Sequence, residues 1–167
     1  SISGRELTLG RNQLVLDLTR KEVREYIIDS VDRVLSNANI EYVKWDFNRN
    51  MSEAGAMLLG KDRQREVDFR YYLGLYSVLE RLNEEFPDVL FESCSGGGGR
   101  FDAGMLYYMP QVWTSDNSDA IERLRIQYGT SLVYPMSAMS AHVSASPNHQ
   151  TAHVTPFDTR FTVALTG

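Results

Sequence analysis

The sequence predicts an α/β fold, in which helices flank a parallel β-sheet. Two observations indicate this class: short apolar runs alternate with amphipathic segments, and polar residues directly follow several of the runs. Alternation of this kind places successive strands side by side, with their carboxyl ends and the following loops at one edge of the sheet. We therefore expect functional side chains in the loops that follow the strands.

Five short apolar runs have the composition of buried strands: residues 14–18, 40–46, 89–93, 111–115 and 131–135. A complete (β/α)8 barrel usually needs about 250 residues, whereas this chain has 167. We therefore predict that residues 1–167 form a partial (β/α)8 TIM barrel, with about five parallel β/α units of the eight. Residues 140–156, rich in Ser, Ala, His and Pro, are expected to form a long loop over the same edge.

Helices are expected between these strands. Thr19 and Glu22 have the spacing of a capping box, which predicts the start of the first helix. One apolar face over residues 63–86 predicts the second helix. Two more follow, one that ends at Gly129 and a short one over residues 157–165. The apolar residues of the helix that ends at Gly129 are Ile121, Leu124 and Tyr128.

Composition and charge argue against several classes of function. The chain has 17 Lys and Arg against 22 Asp and Glu, a net charge of −5, with no basic stripe for phosphates. No apolar stretch approaches the ~18 residues of a membrane span. The single cysteine, Cys94, cannot form an internal disulfide, and the first residues resemble no signal peptide. We expect a soluble, cytoplasmic protein that binds neither nucleic acid nor membranes.

The second predicted strand runs into a segment with alternating chemistry. Strand alternation places Lys44, Asp46 and Asn48 on one face, and Trp45 and Phe47 on the other. The first face offers a cation, a carboxylate and an amide to a ligand. A buried structural pair of Lys44 and Asp46 is the alternative, because buried charges need partners.

The fourth predicted strand also runs into an aspartate. Ser118 can cap the following helix, with Asp119 near the positive end of its dipole, so both have a structural explanation. Asp116 has none. Two carboxylates at one edge of a parallel sheet can split a glycosidic bond, since one attacks or stabilises the sugar carbon and the other protonates the leaving oxygen. Asp46 and Asp116 therefore favour a glycoside hydrolase.

Three further features allow structural explanations. The glycines at 96–99 let the backbone approach a ligand or form a flexible turn, and no Lys-Ser/Thr follows them as in a nucleotide P-loop. Cys94 by itself is typical of a small buried hydrophobe. His149 and His153 have the spacing of a zinc-binding helix, but Gln150 replaces the expected Glu, so we do not expect a metal site.

Several motifs occur in order and cover nearly all of the chain: residues 10–17 (GRNQLVLD), 43–49 (VKWDFNR), 92–102 (ESCSGGGGRFD), 113–117 (WTSDN), 128–135 (YGTSLVYP) and 146–150 (SPNHQ). Together they closely resemble the bacterial α-galactosidases of glycoside hydrolase family 36. The resemblance implies a retaining hydrolase of terminal α-D-galactose in galactosides and oligosaccharides, without a cofactor. It also implies flanking N- and C-terminal β domains, which we expect this chain to lack, and a homo-oligomer as the full-length protein.

The resemblance also implies residue roles, with Asp46 as the nucleophile and Asp116 as the acid/base. The residues that match those holding the galactose unit are Arg11, Lys44, Asn48, Cys94, Gly96, Gly97 and Trp113. Two other hypotheses stay open. One is a sugar-binding fragment without turnover, and the other is a metal-dependent barrel enzyme in which Asp46, Glu92 and Asp116 bind Mg²⁺.

Overall fold

The computed structural model describes residues 9–10, 12–52 and 54–167. The chain divides into two compact units. The first unit consists of Ser1–Glu41 with Arg49–Val89, and the second of Tyr42–Asn48 with Leu90–Gly167. Within the described ranges, no helix combines the length and the apolarity needed to cross a bilayer.

The first unit is built on two helices that contact each other. Helix α1 spans Lys21–Leu35, and helix α2 spans Val67–Glu85 after a 3-10 helix over Lys61–Glu66. The buried residues of α2 recur at helical spacing, as the sequence predicts: Val67, Tyr71, Gly74, Val78, Leu79 and Leu82. Gly74 permits a close approach, because a Cβ atom there would lie 2.1 Å from the carbonyl oxygen of Leu18.

Two predictions for the first unit are wrong. Residues 14–18 form no strand, and Leu14 and Leu16 are 60% and 55% exposed, because no strand among the described residues pairs with this run. The capping box is also absent. The Thr19 hydroxyl donates to Asp17 instead, and α1 begins after Arg20 without a side-chain cap.

The second unit contains a four-stranded parallel sheet in the order β1-β2-β3-β4. The strands are β1 (Tyr42–Asp46), β2 (Leu90–Cys94), β3 (Gln111–Trp113) and β4 (Met139–Ser140). The helices are α3 (Ala103–Tyr108), α4 (Ala120–Ser131) and α5 (Phe157–Leu165). Three of the predicted strands are thus confirmed, with small shifts of their ends, as are the helices over 63–86 and 157–165. The loop over 141–156 contains neither helix nor strand.

The predicted strand at 131–135 is wrong, and the last strand lies further along the chain. Helix α4 runs past Gly129 to Ser131, and the backbone N–H groups of Val133 and Tyr134 both bond to the Thr130 carbonyl. This helix-terminal turn uses groups that a strand would need. Val133 is 74% exposed, whereas Met139 in β4 is 1% exposed and supplies the buried apolar side chain.

Candidate active site

The register of the sheet brings the carboxyl ends of neighbouring strands together. Asp46, the last residue of β1, lies opposite Cys94, the last residue of β2. Burial along β1 alternates as predicted, with Lys44 and Asp46 on the exposed face and Val43 and Trp45 half-buried. The predicted pairing of a cation and a carboxylate on one face is therefore present.

Asn48 connects Asp46 to the glycine-rich loop. Its Nδ2 donates to Oδ2 of Asp46 at 3.4 Å, while its Oδ1 accepts from the backbone N–H of Gly96 at 2.7 Å. Because both ends of one amide are engaged, the Asp46 carboxylate is fixed relative to the loop after β2. The Ser95 hydroxyl strengthens this link by donating to the Phe47 carbonyl at 2.6 Å.

Cys94 supplies a second neutral donor to Asp46. Its side chain is 4% exposed, and burial, followed by its hydrogen bond to the Asp46 carboxylate, raises the pKa of the thiol to about 11. The thiol is therefore protonated near neutral pH and acts as a hydrogen-bond donor. A buried, protonated thiol is poorly suited to act as a nucleophile.

The glycine-rich loop packs directly against the backbone that carries Asp116. Gly96 and Gly97 have φ angles of 55° and 81°, in the left-handed region that favours glycine. A Cβ atom on Gly97 would lie 2.7 Å from the Ser115 Cα and 3.0 Å from the Asp116 amide nitrogen. A Cβ atom on Gly96 would meet no atom within 4 Å, so that residue faces open space.

Trp113 and Asp116 meet although strict strand alternation would place them on different faces. Strand β3 ends at Trp113, and the chain then turns so that the indole Nε1 donates to Oδ1 of Asp116 at 3.2 Å. Trp113 is 5% exposed, whereas Asp116 is exposed. The indole thus orients the Asp116 carboxylate through Oδ1 and leaves Oδ2 out of this hydrogen bond.

Lys44 links three strands through a carboxylate and an aromatic ring. Its Nζ lies 3.4 Å from Oε1 of the buried Glu92 and 4.3 Å from the centre of the Trp113 ring. The other Glu92 oxygen accepts from the Tyr42 hydroxyl, and burial together with this bond raises the pKa of Tyr42. Glu92 is therefore the ion-pair partner of Lys44, which argues against the alternative of a structural Lys44–Asp46 pair.

The same contacts bear on metal binding. Within the described part of the chain, no group of three His, Cys, Asp or Glu side chains is arranged to hold a metal ion. Glu92 forms an ion pair with Lys44 and accepts a hydrogen bond from Tyr42, and His153 lies 3.0 Å from the Asp119 carboxylate. Asp46, Glu92 and Asp116 therefore do not form the ligand set that the Mg²⁺ hypothesis requires.

The N-terminus of α4 is capped by Asp119, and the prediction of Ser118 is wrong. Oδ1 of Asp119 accepts from the backbone N–H groups of Ile121 and Glu122, while Oδ2 accepts from the Thr151 hydroxyl at 2.6 Å. Burial would raise the pKa of Asp119, but these bonds and the one to His153 lower it to about 2. The loop over 141–156 is thereby tied to the segment that follows Asp116.

Two residues beside Trp113 were missed by the sequence analysis. The Arg123 guanidinium carbon lies 4.5 Å from the Trp113 ring centre, and the His142 ring centre lies 4.3 Å from it with the two planes tilted by 32°. Arg123 occupies the buried face of α4, whereas the apolar Ile121 and Leu124 are exposed. Arg11, also expected to contact sugar, lies outside the described residues.

These positions define a class of protein. Polar side chains follow neighbouring parallel strands, and two carboxylates among them have separate sets of hydrogen-bond donors. This arrangement is typical of α/β enzymes with a site at the carboxyl edge of the sheet. The chain belongs to the Melibiase family, whose model matches residues 1–167.

The most similar proteins include several α-galactosidases. Alpha-galactosidase AgaA of Geobacillus stearothermophilus is 60% identical over 166 residues, which are 99% of this chain and 23% of that protein. Alpha-galactosidase 1 of Pediococcus pentosaceus is 55% identical, again over 99% of this chain and 23% of that protein. A crystal structure of a GH36 α-galactosidase AgaA variant in complex with raffinose matches with a TM-score of 0.96, 60% identity and the same coverage.

The chain thus spans about a quarter of the length of these relatives. Its four-stranded parallel sheet corresponds to part of the TIM barrel of the GH36 structures. The predicted family and the predicted partial barrel are confirmed.

Proposed function

We propose that the full-length protein is an α-galactosidase that releases terminal α-D-galactose from galactosides and oligosaccharides with retention of configuration. The observation that best supports this proposal is the separate hydrogen bonding of Asp46 and Asp116. Asp46 accepts from the Asn48 amide and the Cys94 thiol, and Asp116 accepts from the Trp113 indole. Family membership and the names of the relatives support the choice of galactose. Residues 1–167 would form the central part of the catalytic barrel.

In the first step, Asp46 attacks the anomeric carbon from the face opposite the leaving oxygen. A covalent bond forms between galactose and the carboxylate as the glycosidic bond breaks. The donors on Asp46 are a thiol and an amide, so they orient the carboxylate without protonating it or forming an ion pair with it. The carboxylate therefore attacks without first breaking an ion pair.

Asp116 transfers the protons in both steps. It gives a proton to the departing oxygen and then accepts one from the water that cleaves the galactosyl–Asp46 ester, as microscopic reversibility requires. Because the Trp113 N–H bonds to Oδ1, the second oxygen, Oδ2, would carry the transferable proton.

The remaining residues would bind the sugar. The Lys44 ammonium lies over Trp113 with donor capacity beyond its ion pair, and the open space at Gly96 lets a ligand approach the backbone. Gly97 and Arg11 are assigned to this role by the family resemblance. The homo-oligomeric state of the full-length protein and its cytoplasmic location stay predictions.

The two roles are tested by substituting each aspartate in the full-length enzyme and adding azide. Asp46→Gly should abolish hydrolysis, and azide should restore release from an activated aryl galactoside with one inversion, giving the β-galactosyl azide. Asp116→Ala should lose turnover of unactivated galactosides about 10²- to 10⁴-fold. It should still form the covalent intermediate from activated substrates, and azide should then give the α-galactosyl azide.

Recovery of the opposite anomers would show that the two roles are exchanged. The alternative of a sugar-binding protein without turnover predicts a different result. In that case the unsubstituted full-length protein would bind galactose, as measured by calorimetry, but would release none from the aryl galactoside.

A further inference from the structure

Arg123 is a buried cation that no part of the proposed mechanism uses. It lies on the inner face of α4 and is 4% exposed. Among the ion pairs of the described residues, none includes Arg123. Burial lowers the pKa of its guanidinium. A buried charge without a counter-ion is costly, so its other contacts must offset that cost.

Two of its hydrogen bonds lead to the segment that carries Asp116, and a third leads to the neighbouring strand β4. Nη1 of Arg123 donates to the Thr114 hydroxyl at 2.8 Å and to the Ser115 carbonyl at 3.3 Å. Nη2 donates to the Ser140 carbonyl in β4 at 2.8 Å. One planar guanidinium therefore connects the residues just after β3 to strand β4. An ammonium lacks the rigid fork of donors that makes this connection.

The face of the same guanidinium lies on the Trp113 ring. The distance from its central carbon to the ring centre is 4.5 Å, within the range of a cation–π contact. Trp113 in turn donates its indole N–H to Asp116. Arg123 thus reaches Asp116 by two routes, through the indole and through the peptide that joins Ser115 to Asp116.

We propose that Arg123 is a positioning residue for acid catalysis, which holds Trp113 and the Ser115–Asp116 peptide so that the Asp116 carboxyl reaches the leaving oxygen. This proposal rests on the proposed function, since it takes Asp116 to be the acid/base. Arg123 does not touch the reacting atoms itself. Misplacing a catalytic group by about 1 Å can reduce the rate about 10²-fold. The loss should therefore fall mainly on substrates that need a proton.

The test compares kcat/KM of full-length Arg123→Gln and Arg123→Lys on two substrates. One is an aryl α-galactoside whose phenolate leaves without a proton, and the other is an unactivated α-galactosyl disaccharide. For Arg123→Gln we expect a loss of about 10²-fold on the disaccharide and less than about fivefold on the aryl galactoside. Arg123→Lys, which keeps the charge but not the fork of donors, should lie between this variant and the wild type.

Two residues of the same helix provide matched controls. Arg125→Gln removes an exposed arginine and should change kcat/KM on neither substrate. Gln127→Ala removes a buried polar group that donates to the Val163 carbonyl at 3.0 Å in α5. This second control should lower the melting temperature without changing the ratio of the two kcat/KM values.

If Arg123→Gln loses kcat/KM equally on both substrates, the proposal is overturned and Arg123 has a purely structural role. Gln127→Ala shows what such an equal loss looks like. If Arg123→Gln does not fold, the same ratio measured in Arg123→Lys decides the question. Asp116→Ala is measured in parallel. If its own losses do not depend on the leaving group, the proposed role of Asp116 fails. If they do depend on it but those of the Arg123 variants do not, only the role of Arg123 fails.

Discussion

Gly97 allows the geometry of the site to be tested with one added carbon atom. In Gly97→Ala the new Cβ would lie 2.7 Å from the Ser115 Cα and 3.0 Å from the Asp116 amide nitrogen. Carbon atoms are most stable about 3.5–4.0 Å apart, so one of the two loops must move by roughly 1 Å. Because the Ser115–Asp116 peptide would be displaced, the Asp116 carboxylate would move with it. We therefore expect kcat to fall about 10²-fold.

Gly96→Ala is the matched control, because both residues have positive φ angles and both alanines would pay a left-handed strain of about 1–2 kcal/mol. At Gly96 the new Cβ meets no protein atom within 4 Å, so it would enter the space proposed for sugar. This variant should therefore raise KM more than it lowers kcat. Steady-state kinetics of both full-length variants on an unactivated α-galactosyl disaccharide, with melting temperatures as a check of folding, separate the two effects.

A folded Gly97→Ala enzyme whose kcat stays within a few-fold of the wild type would refute this reasoning. It would mean that the loop after β2 yields to the added atom and does not position Asp116. The same conclusion would follow if Gly97→Ala and Gly96→Ala changed KM by the same factor and kcat by the same factor.

Three further predictions concern stability and ionisation. Asp119→Ala should lower the free energy of unfolding by about 0.5–2 kcal/mol at neutral pH, as measured in urea. The difference from the wild type should shrink as pH falls from about 4 to about 2, since a lowered carboxyl pKa stabilises the fold only while the group is ionised. The pKa of His142, followed by NMR, should lie below the usual 6.5, because burial and two neighbouring cations lower it. The fold should therefore lose stability as the pH falls below 6.5, where the unfolded chain binds the proton more readily. Gly74→Ala should be destabilising by about 1–3 kcal/mol through its clash with Leu18, whereas Gly129→Ala, with open space, should stabilise by up to about 1 kcal/mol, both judged by urea unfolding.

The sequence predicts the elements best where one face is buried. The alternation in β1 and the helical spacing in α2 are both visible in the residues, because burial selects apolar side chains at a fixed period. The run at 131–135 has similar composition, yet its aliphatic side chains Leu132 and Val133 are exposed. Composition alone cannot distinguish a short strand from an exposed helix end, since the difference lies in which backbone groups are paired.

The candidate site was predictable to the extent that it rests on strand ends. Asp46 and Cys94 are the last residues of β1 and β2, and Asp116 follows β3; sheet register brings such positions to one edge. The partner of Lys44 was not predictable. Lys44 has Asp46 two residues away in sequence, but the structure pairs it with Glu92 on the adjacent strand, because neighbouring strands place side chains opposite one another.

Arg123 was missed for a different reason. Its helix carries apolar residues at Ile121, Leu124 and Tyr128, a spacing that predicts the buried face, but all three are exposed. The buried face of α4 instead consists of Ala120, Arg123 and Gln127, whose polar groups are used in hydrogen bonds to the strand ends and to α5. Such a polar interface has no hydrophobic period in the sequence. It can be recognised only when the hydrogen-bond partners of Arg123 and Gln127 are known.

Burial of Cys94, followed by its bond to Asp46, also makes the site chemically resistant. Thiols react with oxidants and alkylating agents as thiolates. Because the pKa of this thiol is raised to about 11, very little of Cys94 would be ionised near neutral pH. The carboxylate that is oriented by the thiol thus protects that thiol from damage, and peroxide or iodoacetamide should leave this cysteine unmodified for as long as the site stays folded.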